Sequence, residues 1–136
     1  KPKIALLSYS NFGSHKGATP TKMHEATLRL KEIHSELVVD GEMQANFALD
    51  NNLLEEVFPF SDLVGNRPNI FIFPDLGASN IAYKMLQGFG SAEAIGPMLI
   101  GLKKSAHVLQ MGSSVREIVN IATMAAVDAQ TRKRDA

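Results

Sequence analysis

The sequence predicts an α/β domain, on the strength of three observations. Short, nearly continuous apolar runs recur along the chain, as IALLS (4–8), ELVVD (36–40) and NIFIF (69–73). Runs of that length without polar alternation are typical of strands buried on both faces of a sheet. Between them lie segments with apolar residues at helical spacing, joined by stretches rich in Gly, Pro, Asn and Ser. The 136 residues are also the length of one domain, since domains cluster near roughly 100–150 residues.

The elements follow in order. Ile4 to Ser8 forms the first strand and ends in the turn-forming loop from Tyr9 to Gly17. Thr19 or Thr21 caps a helix to about Ile33, with Pro20 suited to a first turn that does not need its N–H. Met23, Ala26, Thr27, Leu30 and Ile33 share its buried face. Glu36 to Asp40 is the second strand, closed by Gly41, and Met43 to Val57 is weakly helical with a break at Asp50-Asn51-Asn52. Asn69 to Phe73, between Pro68 and Pro74, is the central strand. Ser79 to Gln87 is a helix with Ile81, Met85 and Leu86 inward, stopped by Gly88 and Gly90. Pro97 to Leu102 and His107 to Gln110 read as two more strands around a Lys103-Lys104-Ser105 turn, an antiparallel pair that makes the sheet mixed. Ser114 to Gln130 is the longest helix, with Val115, Ile118, Ala122, Ala125 and Ala129 on one stripe. The polar tail 131–136 is expected to fray.

Composition excludes several classes. With 45% hydrophobic and 21% charged residues, the chain is neither collagen-like nor disordered. Fourteen Lys and Arg balance fourteen Asp and Glu, so no net field draws the domain to nucleic acid or an anionic membrane. No apolar run approaches the ~20 residues of a membrane span, and no basic-then-apolar leader opens the chain. The absence of Cys removes disulfides, thiolate nucleophiles and Cys-bound zinc, and a reducing cytoplasm is the expected compartment. The start Lys1-Pro2-Lys3, without an initiator Met, leads to the expectation that the chain is a piece of a longer protein.

Local patterns suggest a ligand without naming it. Between Lys31 and Arg67 lie eight acids (Glu32, Glu36, Asp40, Glu42, Asp50, Glu55, Glu56, Asp62) and no base. Their spacing matches no metal-ligand pattern, so a solvated acidic face is expected. His15, His24, His34 and His107 form no HExxH or facial-triad arrangement, so no metal site is expected. The nucleophile-elbow pattern GxSxG is absent. The 9–17 loop and the Gly112-Ser113-Ser114 turn each join an expected strand to a helix. Open α/β sheets bind ligands at such carboxyl ends, where free N–H groups favour anions. Ser114-Val115-Arg116-Glu117 reads as a capping box, and Asp75, Ser79 and Asn80 are either helix caps or ligand contacts.

The succession SYSNFGS (8–14), VDGEMQ (39–44), IFPDLGASNIAYK (72–84), AEAIGPMLIGL (92–102) and SSVREIVNIATMAAVDAQ (113–130) resembles the phosphate acetyltransferase family. In particular it resembles the phosphate-acetyltransferase-like C-terminal domain of bacterial NADP-dependent malic enzymes. The resemblance implies an isocitrate/isopropylmalate-dehydrogenase-like α/β fold. Residues 1–112 would form its second domain, 113–130 a helix returning to a first domain outside this chain, and 131–136 a tail. In the family, a Leu-Ser-Arg-Gly motif with an Asp six residues beyond the Arg supports acetyl transfer between acetyl phosphate and coenzyme A. The corresponding positions here are Leu109-Gln110-Met111-Gly112 and Glu117. Met111 brings no positive charge to a phosphate, and stabilisation of that kind is usually a large catalytic term.

The resemblance therefore implies a non-catalytic regulatory and dimerising domain that senses acetyl-CoA. The parent would decarboxylate malate oxidatively to pyruvate, with NADP and Mg or Mn bound upstream and no cofactor or metal in these residues. The implied acyl-CoA contacts are Ser10, Asn11, Gly13 and Ser14, then Asp75, Asn80, Tyr83 and Lys84, then Gly112, Ser113 and Ser114, with Lys84 or Lys103 near phosphate groups. Implied partners are a second copy, as a homodimer or higher oligomer, and the upstream domains of the same chain. The alternative is half of an active phosphate acetyltransferase.

Overall fold

The computed structural model describes residues 1–90 and 94–134, so the opening residues of the 92–102 motif and the last two of the tail lie outside the described residues. Residues 1–85 and 86–136 form two compact units. In the first, β1 (Lys3–Leu7), α1 (Ala18–Ile33), β2 (Val38–Met43), α2 (Ala45–Leu49), α3 (Asn51–Val57) and β3 (Ile70–Ile72) follow one another. The three strands make a parallel sheet in the order β2-β1-β3.

The central position of β1 explains its unbroken apolar run. Ala5 and Leu7 enter one core with Met43, Ala48, Leu54 and Leu63, while Leu6 enters the other with Met23 and Val39. Ile4, Ala26 and Leu30 complete the α1 side, so α1 covers one face of the sheet. On the opposite face Phe12, Phe47, Phe58 and Phe73 pack around the α2–α3 core. Phe12 meets Phe58 with ring centroids 5.0 Å apart, and Phe47 meets Phe58 edge-on at 4.9 Å, arrangements that aromatic quadrupoles favour. Asp50 caps α3 by accepting from the N–H groups of Asn52 and Leu53.

Several expectations are corrected. Gly17, without a side-chain cap, precedes α1, so neither Thr19 nor Thr21 is the cap. Ile33 at the helix end is exposed, outside the buried face that Met23 and Thr27 share. β2 does not stop at Gly41 but runs through it to Met43. A further helix, α4 (Leu76–Phe89), starts earlier than expected, because the Asp75 carboxylate accepts from Ala78 N–H at 2.8 Å. It passes through Gly88, and Ile81, Met85 and Leu86 are exposed rather than inward. Helical apolar spacing identifies a helix but does not supply a partner for its stripe.

Neither 97–102 nor 107–110 is a strand, and among the described residues the sheet is parallel rather than mixed. The backbone groups of 97–110 do not form a ladder. Pro97 has no N–H to give, and the Leu99 N–H is directed to the His107 ring, donating to Nδ1 at 3.4 Å. In the second unit α5 (Val115–Arg134) is the long helix the sequence predicts, continuing past Thr131 to Arg134. Its buried contact is Ile121, whereas Val115 and Ile118 are exposed. No helix among the described residues is long and apolar enough to cross a membrane.

Candidate functional site: a loop held by a buried carboxylate

Regular alternation along β2 puts Val39 on the α1 face and would put residue 42 on the opposite one. The pairing breaks that alternation. Leu6 faces Gly41 but Leu7 faces Met43, so one extra residue is accommodated in β2, the signature of a β-bulge. Met43 thereby enters the α2–α3 core, and Glu42 turns towards α1 and the 9–17 loop.

Glu42 is 1% exposed and holds that loop through three groups. Its Oε1 accepts from the Ser10 hydroxyl at 2.9 Å and the Gly13 N–H at 2.7 Å, and its main-chain carbonyl accepts from Phe12 N–H at 2.8 Å. Gln44 adds two further bonds. Its N–H donates to Asn11 Oδ1 at 2.7 Å, and its side-chain amide donates to the Tyr9 carbonyl at 2.8 Å. The sequence motifs 8–14 and 39–44 are thus bonded to each other. Within the loop, Ser10 is fully buried, Asn11 N–H donates to Ser14 Oγ, and Ser14 Oγ lies 3.0 Å from His15 Nδ1. Phe12 adopts a positive φ of 47° at the turn.

The other carboxylate oxygen, Oε2, is buried and faces His24 Nδ1 of α1 at 3.2 Å. Burial pushes the Glu42 carboxyl up, but the Gly13 N–H, its own backbone, the Ser10 hydroxyl and the His24 charge together hold it below its ordinary 4.5. A carboxyl lowered on folding contributes stability that is complete above its unfolded pKa and is lost as pH falls through the folded value. Glu42→Gln should therefore flatten the fall in stability below about pH 4.5. Urea unfolding across that acid range checks it, and an unchanged acid limb would count against the assignment.

The adjacent Asp40, also buried, ties α1 to the segment after α3. Lys31 Nζ bonds its Oδ1 at 2.8 Å, while the Ser61 hydroxyl and Asp62 N–H bond its Oδ2 at 2.7 and 3.0 Å. Two of the eight acids are therefore buried rather than part of a solvated face. Among the described residues no group of acids and histidines could hold a metal ion.

The remaining sequence-selected residues lie elsewhere. Asp75 caps α4, Asn80 is exposed on that helix, and Lys84 Nζ stands 5.2 Å from the Tyr83 ring centroid. Lys22 of α1 donates to the Pro74 carbonyl just before α4. In the second unit, the Gln110 carbonyl accepts from Ser113 N–H at 3.0 Å, and the Met111 side chain is fully exposed. Gly112 and Ser113 lead into the Ser114–Glu117 box, where Glu117 Oε2 accepts from Ser114 N–H at 2.6 Å and its hydroxyl at 2.8 Å. Glu117 N–H returns a bond to Ser114 Oγ at 3.2 Å, and the Ser114 N–H lowers the Glu117 pKa. The capping box is formed as read. Glu42, His24 and Gln44 were not among the sequence-selected site residues. The DGE run (40–42) at the end of the ELVVD stretch was the signal for Glu42.

Comparison with known proteins places these features. Residues 1–126 match the phosphate acetyl/butaryl transferase family. The chain is 45% identical over 130 residues to the NADP-dependent malic enzyme of Haemophilus influenzae, covering 96% of this chain and 17% of that protein. It is 39% identical over 130 residues to the phosphate acetyltransferase of Clostridium acetobutylicum, covering 96% of this chain and 39% of that one. Among solved structures, a phosphotransacetylase from Streptococcus pyogenes superposes with a TM-score of 0.87 at 39% identity, over 96% of this chain and 39% of that chain. The chain thus spans less than half of the relatives it matches.

Proposed function

Since the chain belongs to the phosphate acetyl/butaryl transferase family, we propose that it serves as the C-terminal regulatory and dimerising domain of a cytoplasmic NADP-dependent malic enzyme and senses acetyl-CoA. The malate-oxidising site, with its NADP and Mg or Mn, would lie in upstream parts of the protein. On this reading the chain supplies the second domain of an isocitrate/isopropylmalate-dehydrogenase-like unit. The observation that carries the reading is Met111. Where the family's Leu-Ser-Arg-Gly motif places a cation, this chain has an exposed thioether preceded by Gln110. Neither side chain can carry positive charge to a transferring acyl phosphate, and charge stabilisation of this kind is usually the largest catalytic term. Glu117, at the family's Asp position, is engaged in the α5 cap. The 39% identity to a phosphate acetyltransferase supports the second reading, half of a working acetyltransferase.

The full-length protein separates the two. Acetyl-CoA should inhibit malate-dependent NADP reduction about 5–150-fold at saturation, the range of ordinary allosteric coupling. No acetyl-CoA should form from acetyl phosphate and coenzyme A. Acetyl-CoA synthesis at an enzymatic rate would overturn the regulatory reading in favour of the second.

A further inference from the structure

Resting on that reading, we propose that Glu42 is a positioning residue for the acyl-CoA-sensing loop, and that Ser10 and Gly13 act by being held rather than by touching the ligand. Ser10 has no exposed surface, and its hydroxyl and the Gly13 N–H both end on Glu42 Oε1. An incoming phosphate could reach neither donor without displacing a buried carboxylate of its own sign. Ser14 and His15 are exposed in the same loop, as are Tyr9 and Lys16, and are joined to each other at 3.0 Å. Their placement follows from the clamp beneath them, because His15 N–H donates back to Ser10 Oγ at 3.0 Å. One carboxylate thereby fixes the turn that presents the outer groups. It reaches that position because the bulge at Gly41 turns residue 42 towards α1.

The two carboxylate oxygens differ in a way that makes the role testable. Oε1 receives two donors, whereas among the described residues Oε2 accepts no hydrogen bond and stands 3.2 Å from His24 Nδ1. A glutamine can keep its oxygen on Ser10 and Gly13 and place its NH2 where Oε2, which accepts no hydrogen bond, stands. Glu42→Gln should therefore preserve the loop, and Glu42→Ala should release it. In the full-length protein, hydrogen exchange of the 9–17 segment should accelerate about tenfold or more in Glu42→Ala, since a hydrogen bond to a charged group is worth at least that factor. Acetyl-CoA affinity, measured by calorimetry, should fall by about the same factor, with both properties closer to wild type in Glu42→Gln. Unchanged exchange in Glu42→Ala, or equal damage by both substitutions, would overturn the clamp. Faster exchange with unchanged acetyl-CoA affinity would show that the loop does not serve the ligand.

Should Glu42→Ala not fold, Ser10→Ala removes the Ser10 bond to Glu42, and with it the His15 N–H bond to Ser10 Oγ, with little loss of volume. It should shift exchange and affinity in the same direction by about tenfold, and no shift would again overturn the proposal. If wild-type protein binds no acetyl-CoA, the sensing function fails on its own, while the exchange comparison still decides whether Glu42 holds the loop.

Discussion

Gly41→Ala is expected to cost about 3–5 kcal/mol, combining backbone strain with overpacking against a strand that cannot yield. Gly41 has φ +145°, which side-chain-bearing residues rarely adopt, and an added Cβ would stand 2.5 Å from the Leu6 carbonyl oxygen and 3.0 Å from Leu6 Cβ. Leu6 belongs to the central strand and is buried between β2 and β3, so relief requires the sheet to part. Such a loss is a large fraction of the ~5–15 kcal/mol that stabilises a typical domain. Gly65→Ala is the control, because its φ of +70° is also positive but nothing lies within 4 Å of an added Cβ. Urea unfolding should show a much lower midpoint for Gly41→Ala than for Gly65→Ala. Equal midpoints would sink the argument that the bulge requires a glycine.

That glycine also marks where sequence reasoning stops. The apolar runs locate β1 and β2 because burial on both faces leaves a pattern that needs no tertiary information. By contrast β3, expected to be central, lies at the sheet edge with Ile70 and Ile72 exposed. Gly41 read as the end of a strand, since glycine usually punctuates one. Here it instead admits a bulge, and the bulge reverses which face Glu42 occupies. Period-2 alternation cannot anticipate an inserted residue, so Glu42 looked like one more surface acid. The 9–17 loop was legible from its turn chemistry, but the carboxylate organising it was not. The reading of 97–110 went astray for a related reason. An apolar run shows that a segment can be buried, whereas strand formation also needs a ladder partner, and here Leu99 N–H goes to a side chain. The α5 capping box was legible because both members lie within four residues, a distance over which local sequence determines geometry.

Asp40→Asn should be nearly as damaging as Asp40→Ala, each costing about 2 kcal/mol, the loss expected when buried donors to a charged group are left unpaired. All three of Asp40's partners are donors: the Lys31 ammonium on Oδ1, and the Ser61 hydroxyl and Asp62 N–H on Oδ2. An asparagine offers one oxygen to these two sets, so its NH2 must face another donor whichever way it turns. Position 42 differs, because among the described residues Glu42 Oε2 accepts no hydrogen bond that an amide would break. The same substitution, carboxylate to amide, is thus expected to be tolerated at Glu42 and not at Asp40, two residues apart. Asp62→Asn removes the other Lys31 partner, but that side chain is 60% exposed, so its loss should stay within about 1 kcal/mol. Burial pulls the Lys31 ammonium down, and bonds to Asp40 and Asp62 more than offset it, leaving its pKa above the ordinary 10.5. A cation raised in this way contributes stability that is complete below its unfolded pKa and is lost as pH rises through the folded value. Unfolding midpoints above pH 10.5 should therefore fall more steeply in wild type than in Asp40→Asn. Parallel alkaline limbs, or an Asp40→Asn protein as stable as Glu42→Gln, would refute the account of β2 as a strand with two buried carboxylates of opposite tolerance.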